Sequence, residues 1–333
     1  MTVRVGINGF GRIGRSMFRA AKAAGADIDF VAVNDLGSIE TMAHLLKYDS
    51  VLGKLPDDVK VVDDGIYVAG DTIKVLQVRD PKELPWGELG VDVVVESTGF
   101  FADRAKAAMH LDAGAPYVIV SAPSNGADAT IVLGVNDATI DPKTHQVISN
   151  ASCTTNCFVP LVKVLDDAFG VEQGLMTTVH AYTGDQMLDD GPHRDLRRAR
   201  AAAINITPTS TGAARATGIV LEAMKGKLDG TSLRVPTPTG SITDLTATLS
   251  REVTVDEINE AFAKAAADAS YRGVLEYSTE ELVSADIVGN PASCIYSAID
   301  TMASDNLVKV LGWYDNEWGF SNRLIDLVAF VAE

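Results

Sequence analysis

Val3-Arg4-Val5-Gly6-Ile7 is a short apolar run of strand character, and it leads directly into Gly9-Phe10-Gly11-Arg12-Ile13-Gly14. Behind the glycines, Met17, Phe18, Ala21 and Ala24 recur at helical spacing. Few folds accept strand, GxGxxG and helix in that order. The tight turn and close backbone approach need residues without a Cβ, and the helix start turns unpaired N–H groups towards a pyrophosphate. A second run, Phe30-Val31-Ala32-Val33, ends in Asn34-Asp35, about twenty residues beyond the last glycine. An acid there accepts hydrogen bonds from a ribose 2′-OH and repels a 2′-phosphate, which favours NAD over NADP. Taken alone, GxGxxG can be an ordinary glycine turn; the correctly spaced strands, helix and acid make it a dinucleotide site.

The same alternation continues. A helix over 41–46 is followed by strands within 67–78, with turns at Asp64-Gly65 and Gly70-Asp71. A buried strand at 91–96, a helix over 102–113 and a strand at 117–120 complete the series. Apolar strands alternating with helices imply an α/β, Rossmann-type doubly wound parallel sheet covered on both faces. Ligands bind such sheets at the carboxyl ends of strands, where Asp35, Thr98, Ser121 and Cys153 fall. Beyond Val171 the strands lengthen and the helices group between them, which predicts an α+β domain with a mostly antiparallel sheet. Thr254 and Glu257 form a capping box for an amphipathic helix over 254–269.

The length suits two domains with a sizeable core, and 47% apolar with 22% charged residues is an ordinary globular balance. A net charge of −17 argues against a generic nucleic-acid or anionic-membrane surface. An anionic substrate therefore needs a local basic pocket. Three cysteines, Cys153, Cys157 and Cys294, form no disulfide framework and no zinc-ligand set, so no metal and a reducing cytoplasm are expected. No signal peptide and no apolar run of about 20 residues points to a membrane.

The chemistry-bearing stretch is Ser149-Asn150-Ala151-Ser152-Cys153-Thr154-Thr155-Asn156-Cys157. It follows an extended run and precedes a helical pattern through Phe158, Leu161, Val162, Leu165 and Phe169, so Cys153 opens a helix. A lone cysteine is more often an inert buried group. At a helix start with hydroxyls around it, and with a histidine near, its pKa is expected to fall and its thiolate to react. Of the five histidines, His180 stands out because it ends a strand beside Tyr182-Thr183; His44, His110, His145 and His193 lack comparable context. Arg194, Arg197 and Arg200 read as a solvated or inter-subunit basic cluster. Thr207 to Gly212 leads into a helix over 213–224 and offers backbone amides to an anion. Arg234 sits in an apolar strand, where a bound phosphate or carboxylate would offset the cost of burying it. Cys294 reads as core.

The motif Ser149–Cys157, together with His180-Ala181-Tyr182-Thr183-Gly184-Asp185-Gln186, resembles the phosphorylating glyceraldehyde-3-phosphate dehydrogenases, and the resemblance runs through the whole chain. It implies an NAD domain of residues 1–152, completed by the last helix at 319–333, and a catalytic domain of 153–318. It implies that Cys153 is the nucleophile and His180 the base. Arg12, Ile13, Asp35, Arg79, Ser121 and Asn316 would contact NAD, with Asn316 on the nicotinamide carboxamide. Ser152, Thr154, Thr211, Gly212 and Arg234 would bind the attacking inorganic phosphate or the substrate, and Thr183 and Arg198 the substrate's own phosphate. Leu36, after Asp35, again points to NAD, whereas Gly191 before Pro192 departs from the Leu-Pro of many NAD-specific members. The segment around Arg194–Arg200 corresponds to a loop that lines a neighbouring subunit's cofactor site in a homotetramer. A sister enzyme acting on erythrose 4-phosphate would differ around Tyr182-Thr183-Gly184 and Thr211-Gly212-Ala213, where this chain keeps the glyceraldehyde-type pattern. A non-catalytic NAD-binding redox sensor would not need the anion-binding residues.

Overall fold

The computed structural model describes Thr2–Ala332, and the chain divides into two compact units. The first comprises Met1–Ile131, Ala138–Ala151 and Ser321–Glu333; the second comprises Val132–Asp137 and Ser152–Phe320.

The main sheet of the first unit has nine strands among the described residues. They are β1 (Val3–Asn8), β2 (Ile28–Asn34), β3 (Val59–Val62), β4 (Gly65–Val68), β5 (Asp71–Leu76), β6 (Val93–Glu96), β7 (Tyr117–Val120), β8 (Ala129–Thr130) and β9 (Val147–Ser149). Their order is β8-β9-β7-β6-β1-β2-β5-β4-β3. All pairs are parallel except β3–β4 and β4–β5, an antiparallel edge on a doubly wound sheet. The order reverses around β1, between β2 and β6, and such a switch point opens a crevice at the strands' carboxyl ends. Helix α1 (Arg12–Ala24) follows β1, with Gly25 at φ 63° closing its end as a left-handed cap. Two of the motif glycines are required by contact. A Cβ on Gly9, at φ +94°, would stand 2.6 Å from the Thr98 amide, and one on Gly14 would stand 2.4 Å from the Gly9 carbonyl. Helix α2 spans Ile39–Lys47. The helix expected over 102–113 is two short pieces, α3 (Arg104–Ala107) and α4 (Met109–Asp112). At Ala108 the ladder tightens to a three-residue bond from Leu111 N–H to the Ala108 carbonyl.

The second unit begins with α5 (Cys153–Phe169), followed by β10 (Val171–Ala181), β11 (Thr207–Ser210), α6 (Ala213–Val220) and β12 (Leu228–Val235). Next come β13 (Ser241–Leu249), α7 (Val255–Ala267), β14 (Leu275–Ser278), β15 (Cys294–Ser297), β16 (Met302–Ser304) and β17 (Leu307–Tyr314). Sheet order is β11-β12-β10-β13-β17-β15-β14, with β16 beside β17. Only β10–β12 and β14–β15 run parallel, so the sheet is mostly antiparallel. Helix α5 lies close to it at Gly312, where a Cβ would meet the sulfurs of Cys294 at 2.7 Å and Cys157 at 3.1 Å. Both of those cysteines are fully buried. The Thr254–Glu257 capping box is formed in both directions. Helix α6 ends at Val220, short of the expected Met224, and a separate turn covers Glu222–Met224. The final helix, α8, spans Trp318–Ala332. No helix among the described residues is long and apolar enough to cross a membrane.

Candidate active site

In the first unit a cleft of about 490 Å³ opens at the ends of β1, β2 and β6, lined by Asn8, Gly9, Gly11, Asn34, Asp35, Leu36, Val78, Arg79 and Thr98 among others. Gly11 is the N-cap of α1, yet no side chain caps that end. A Cβ on Gly11 would meet nothing within 4 Å. The helix start is thus open to an anion, the environment a pyrophosphate requires. Asp35 holds the turn: one carboxylate oxygen accepts from Phe10 N–H at 2.9 Å and the other from Gly37 N–H at 3.0 Å. Arg12 pairs with Asp49 at 2.7 Å from the first turn of α1, where Ile13 also sits. Ser121 follows β7, its hydroxyl and amide donating to the Glu96 carbonyl. These features suit a dinucleotide.

The sequence pattern assigns no role to the layer beneath that cleft. Trp86 Nε1 donates to His110 Nδ1 at 3.0 Å, so the proton of this imidazole is on Nε2, which faces Glu96 at 3.0 Å. Glu96 also accepts from Asn8 and from the Thr98 amide, and Asn34 ties Asn8 to Val78. His110 is fully buried, so it is a built-in part of the first unit and not a residue without context. No local pattern signals it, since its partners lie at separate places in the sequence.

In the second unit Cys153 is the first residue of α5. Ala151 turns the chain with φ 56°, uncommon for a residue carrying a Cβ, and Ser152 is the N-cap. The Ser152 oxygen accepts from Thr155 N–H at 3.1 Å and bonds the Thr155 hydroxyl at 2.8 Å. Cys153 Sγ lies 3.5 Å from His180 Nε2. His180, near the end of β10, has its Nδ1 2.7 Å from the Ala181 carbonyl. The Ala181 carbonyl only accepts and so favours a proton on Nδ1, whereas Arg234 Nη1 only donates and favours a bare Nδ1; the first tautomer is the one that turns the Nε2 lone pair to the sulfur. Arg234 pairs in register with His180 across β12 and β10. Its Nη1 lies against Nδ1 and donates to the same carbonyl at 3.2 Å.

The electrostatics of this cluster differ from the sequence expectation. Burial pushes the Cys153 thiol up, against the opposing pull of Arg234 and of hydrogen bonds from Thr154. Burial, and then Arg234, push His180 down from 6.5 to about 3. The ligand-free pair is therefore a thiol facing a neutral imidazole. The helix start and the histidine do not lower the thiol here, because desolvation outweighs them.

The remaining residues predicted from the sequence divide in two. Arg198 is paired with Asp185 and lies 3.7 Å from Asp195. The Thr183 amide donates to Gln186, the Thr211 oxygen accepts from the Ala213 amide, and Gly212 is the N-cap of α6. Asn316 is buried, its side-chain oxygen accepting from Ser241 at 2.8 Å and Thr239 at 3.3 Å. Arg234, by contrast, has no carboxylate in ion-pair contact among the described residues. Burial lowers its pKa from the ordinary value. Among the described residues no group of three acidic, histidine or cysteine side chains is placed to hold a metal.

A Rossmann unit joined to a thiol-bearing α+β unit is the build of a nicotinamide-dependent dehydrogenase. Residues 3–104 match the family described as glyceraldehyde 3-phosphate dehydrogenase, NAD binding domain, and residues 152–316 match its C-terminal domain. Glyceraldehyde-3-phosphate dehydrogenase 1 of Streptomyces avermitilis is 61% identical over 333 residues, covering 100% of this chain and 99% of the relative. The Streptomyces coelicolor enzyme is 60% identical, covering 99% of each chain. That of Mycolicibacterium smegmatis is 60% identical, covering 100% of this chain and 99% of its own. The chain belongs to the glyceraldehyde-3-phosphate dehydrogenase family.

Proposed function

We propose that this protein oxidises D-glyceraldehyde 3-phosphate with NAD and inorganic phosphate to 1,3-bisphosphoglycerate. The observation that carries the mechanism is the 3.5 Å approach of Cys153 Sγ to His180 Nε2, with Arg234 behind the imidazole. Nε2, the unprotonated nitrogen, takes the thiol proton, the sulfur adds to the aldehyde carbon, and Nε2 returns that proton to the carbonyl oxygen to give a hemithioacetal. Bound NAD would supply the acceptor for the hydride of that carbon. His180 holds the hydroxyl proton as the thioester forms, and its Nδ1–H keeps the imidazolium bonded to the Ala181 carbonyl. Inorganic phosphate then attacks the thioester carbon and the thiolate leaves.

Arg234 is the anion-binding group of the attacking phosphate, with Ser152, Thr154, Thr211 and Gly212 beside it in role. A guanidinium without a carboxylate partner favours an incoming phosphate. Arg198 and Thr183 hold the substrate's own phosphate, which then takes the place of Asp185 on the Arg198 guanidinium. Arg12, Ile13, Asp35, Arg79 and Ser121 hold the dinucleotide, and Asn316 the carboxamide. Residues 1–152 with 319–333 act as the cofactor domain and 153–318 as the catalytic one.

The assembly is a homotetramer. Leu188, Leu196 and Ile204 are each at least 79% exposed in one chain, a cost that a subunit contact removes. Its place is the cytoplasm, in keeping with three free thiols.

The test is the initial rate of NADH formation from NAD and D-glyceraldehyde 3-phosphate, with and without inorganic phosphate. Turnover that requires phosphate is expected. Turnover indifferent to phosphate would mean thioester hydrolysis and would remove the role given to Arg234. No turnover with NAD still bound would overturn the substrate.

A further inference from the structure

Two hydroxyls that flank the Cys153–His180 pair meet at one phenol. Thr154 follows Cys153 in the first turn of α5, and its Oγ1 lies 2.8 Å from the Tyr314 hydroxyl. Thr178 precedes His180 by two positions on β10 and so shares its face. Its Oγ1 also lies 2.8 Å from the Tyr314 hydroxyl, and 3.4 Å from the Ile242 carbonyl. Tyr314 ends β17, and its ring meets the His180 ring edge-on, centroids 5.9 Å apart at 74°. Thr154, Thr178 and Tyr314 are all buried.

The protons of this chain of hydroxyls have two arrangements. When Thr178 donates to the Ile242 carbonyl, the phenol donates to Thr178 and Thr154 donates to the phenol oxygen. When the phenol instead donates to Thr154, Thr178 donates to the phenol oxygen. In either arrangement the phenol bridges Thr154 and Thr178, and so links the turn of Cys153 to the strand of His180. Burial pushes the Tyr314 phenol far above its ordinary value, and Thr154 is among the groups that pull the Cys153 thiol down. Tyr314 thus keeps its proton throughout and acts as a donor, not as a base.

We propose that Tyr314 is a positioning residue for the thiol chemistry: its hydroxyl ties the turn that carries Cys153 to the strand that carries His180, and so sets the spacing of sulfur and imidazole. This rests on Cys153 being the nucleophile and His180 its base. Removing the hydroxyl leaves Thr154 and Thr178 without their shared partner in a buried place, and frees the spacing of sulfur and imidazole.

The test is the pH profile of alkylation of the NAD-free protein by iodoacetamide. Tyr314→Phe is expected to slow labelling at pH 7 about tenfold and to raise the profile's midpoint by about one pH unit. It should lower kcat without changing the KM for NAD. Thr178→Val should move the profile in the same direction by less, and Thr178→Ser should restore it. A Tyr314→Phe profile that superimposes on the parent overturns the proposal. So does Thr178→Ser behaving as Thr178→Val, because the methyl and not the hydroxyl would then matter. The underlying reading fails separately, and visibly, if Cys153→Ser is alkylated as fast as the parent protein.

Discussion

In the first unit the cleft at the ends of β1, β2 and β6 is shaped by backbone. Gly9 and Gly14 are in contact with main-chain atoms, Gly11 leaves the helix start open, and Asp35 binds two amides. In the second unit the thiol cluster is shaped by side chains from separate elements. Cys153 comes from α5, His180 from β10, Arg234 from β12 and Tyr314 from β17. A site made of backbone tolerates change except where a Cβ intrudes. A site made of side chains fails at whichever one is removed. Function divides along the same line, since binding a dinucleotide needs open amides in the right place and covalent chemistry needs particular atoms.

The largest expected effect tests that division directly. Cys153→Ala should cut NADH formation by at least about 10⁴-fold, because no second nucleophile stands at the helix start. NAD affinity, measured by fluorescence titration, should stay within about twofold, a change near 0.4 kcal/mol. Loss of both together would show that the two units do not carry separate tasks.

His180→Asn should lower kcat by about 10²- to 10⁴-fold while leaving the thiol in place for slow alkylation. It also carries a pH signature. The folded value lies near 3 against an ordinary 6.5, so between these limits the unfolded chain binds more protons. Stability then rises with pH through that window and is lost as the pH falls below about 6.5. Acid titration of denaturant midpoints should be shallower for His180→Asn than for the parent. Equal slopes would mean that this imidazole does not stay neutral in the fold.

What is legible in the sequence follows the same divide. The glycine fingerprint, Asp35, the capping box at Thr254 and Glu257, and Cys153 at a helix start are all local patterns, each set within a few residues or one βαβ unit. The strand Val59–Val62 escapes such a reading because four residues with one interior lysine give too little alternation. The helix expected over 102–113 reads as one piece because its periodicity does not show the tightened turn at Ala108. Tyr314, Thr178 and the Trp86–His110–Glu96 layer leave no signal, since their partners are distant along the chain; Tyr314 and Thr154 are 160 residues apart. The direction of the thiol's pKa is hidden for a related reason. The helix start is visible in sequence, but the burial that outweighs it is made by the whole unit.

Gly14→Ala should destabilise the first unit by about 1–3 kcal/mol, because its Cβ would stand 2.4 Å from a carbonyl that the turn cannot withdraw. Thermal unfolding followed at a first-unit probe such as Trp86 checks this, and an unchanged midpoint would show that the turn has slack.

Gly11→Ala is the smaller and sharper change. Gly11 has φ −76°, which any residue adopts, and its Cβ would enter open space. Stability should therefore change by less than about 0.5 kcal/mol, as for an ordinary surface substitution. The new methyl would nevertheless stand at the uncapped helix start, where a pyrophosphate must approach the amides closely. NAD affinity should fall about tenfold, roughly 1.4 kcal/mol. Alkylation of Cys153, measured without NAD, should not change. If affinity holds as well, the pyrophosphate does not use this helix start, and the first unit's cleft depends on Asp35 and its neighbours more than on open amides.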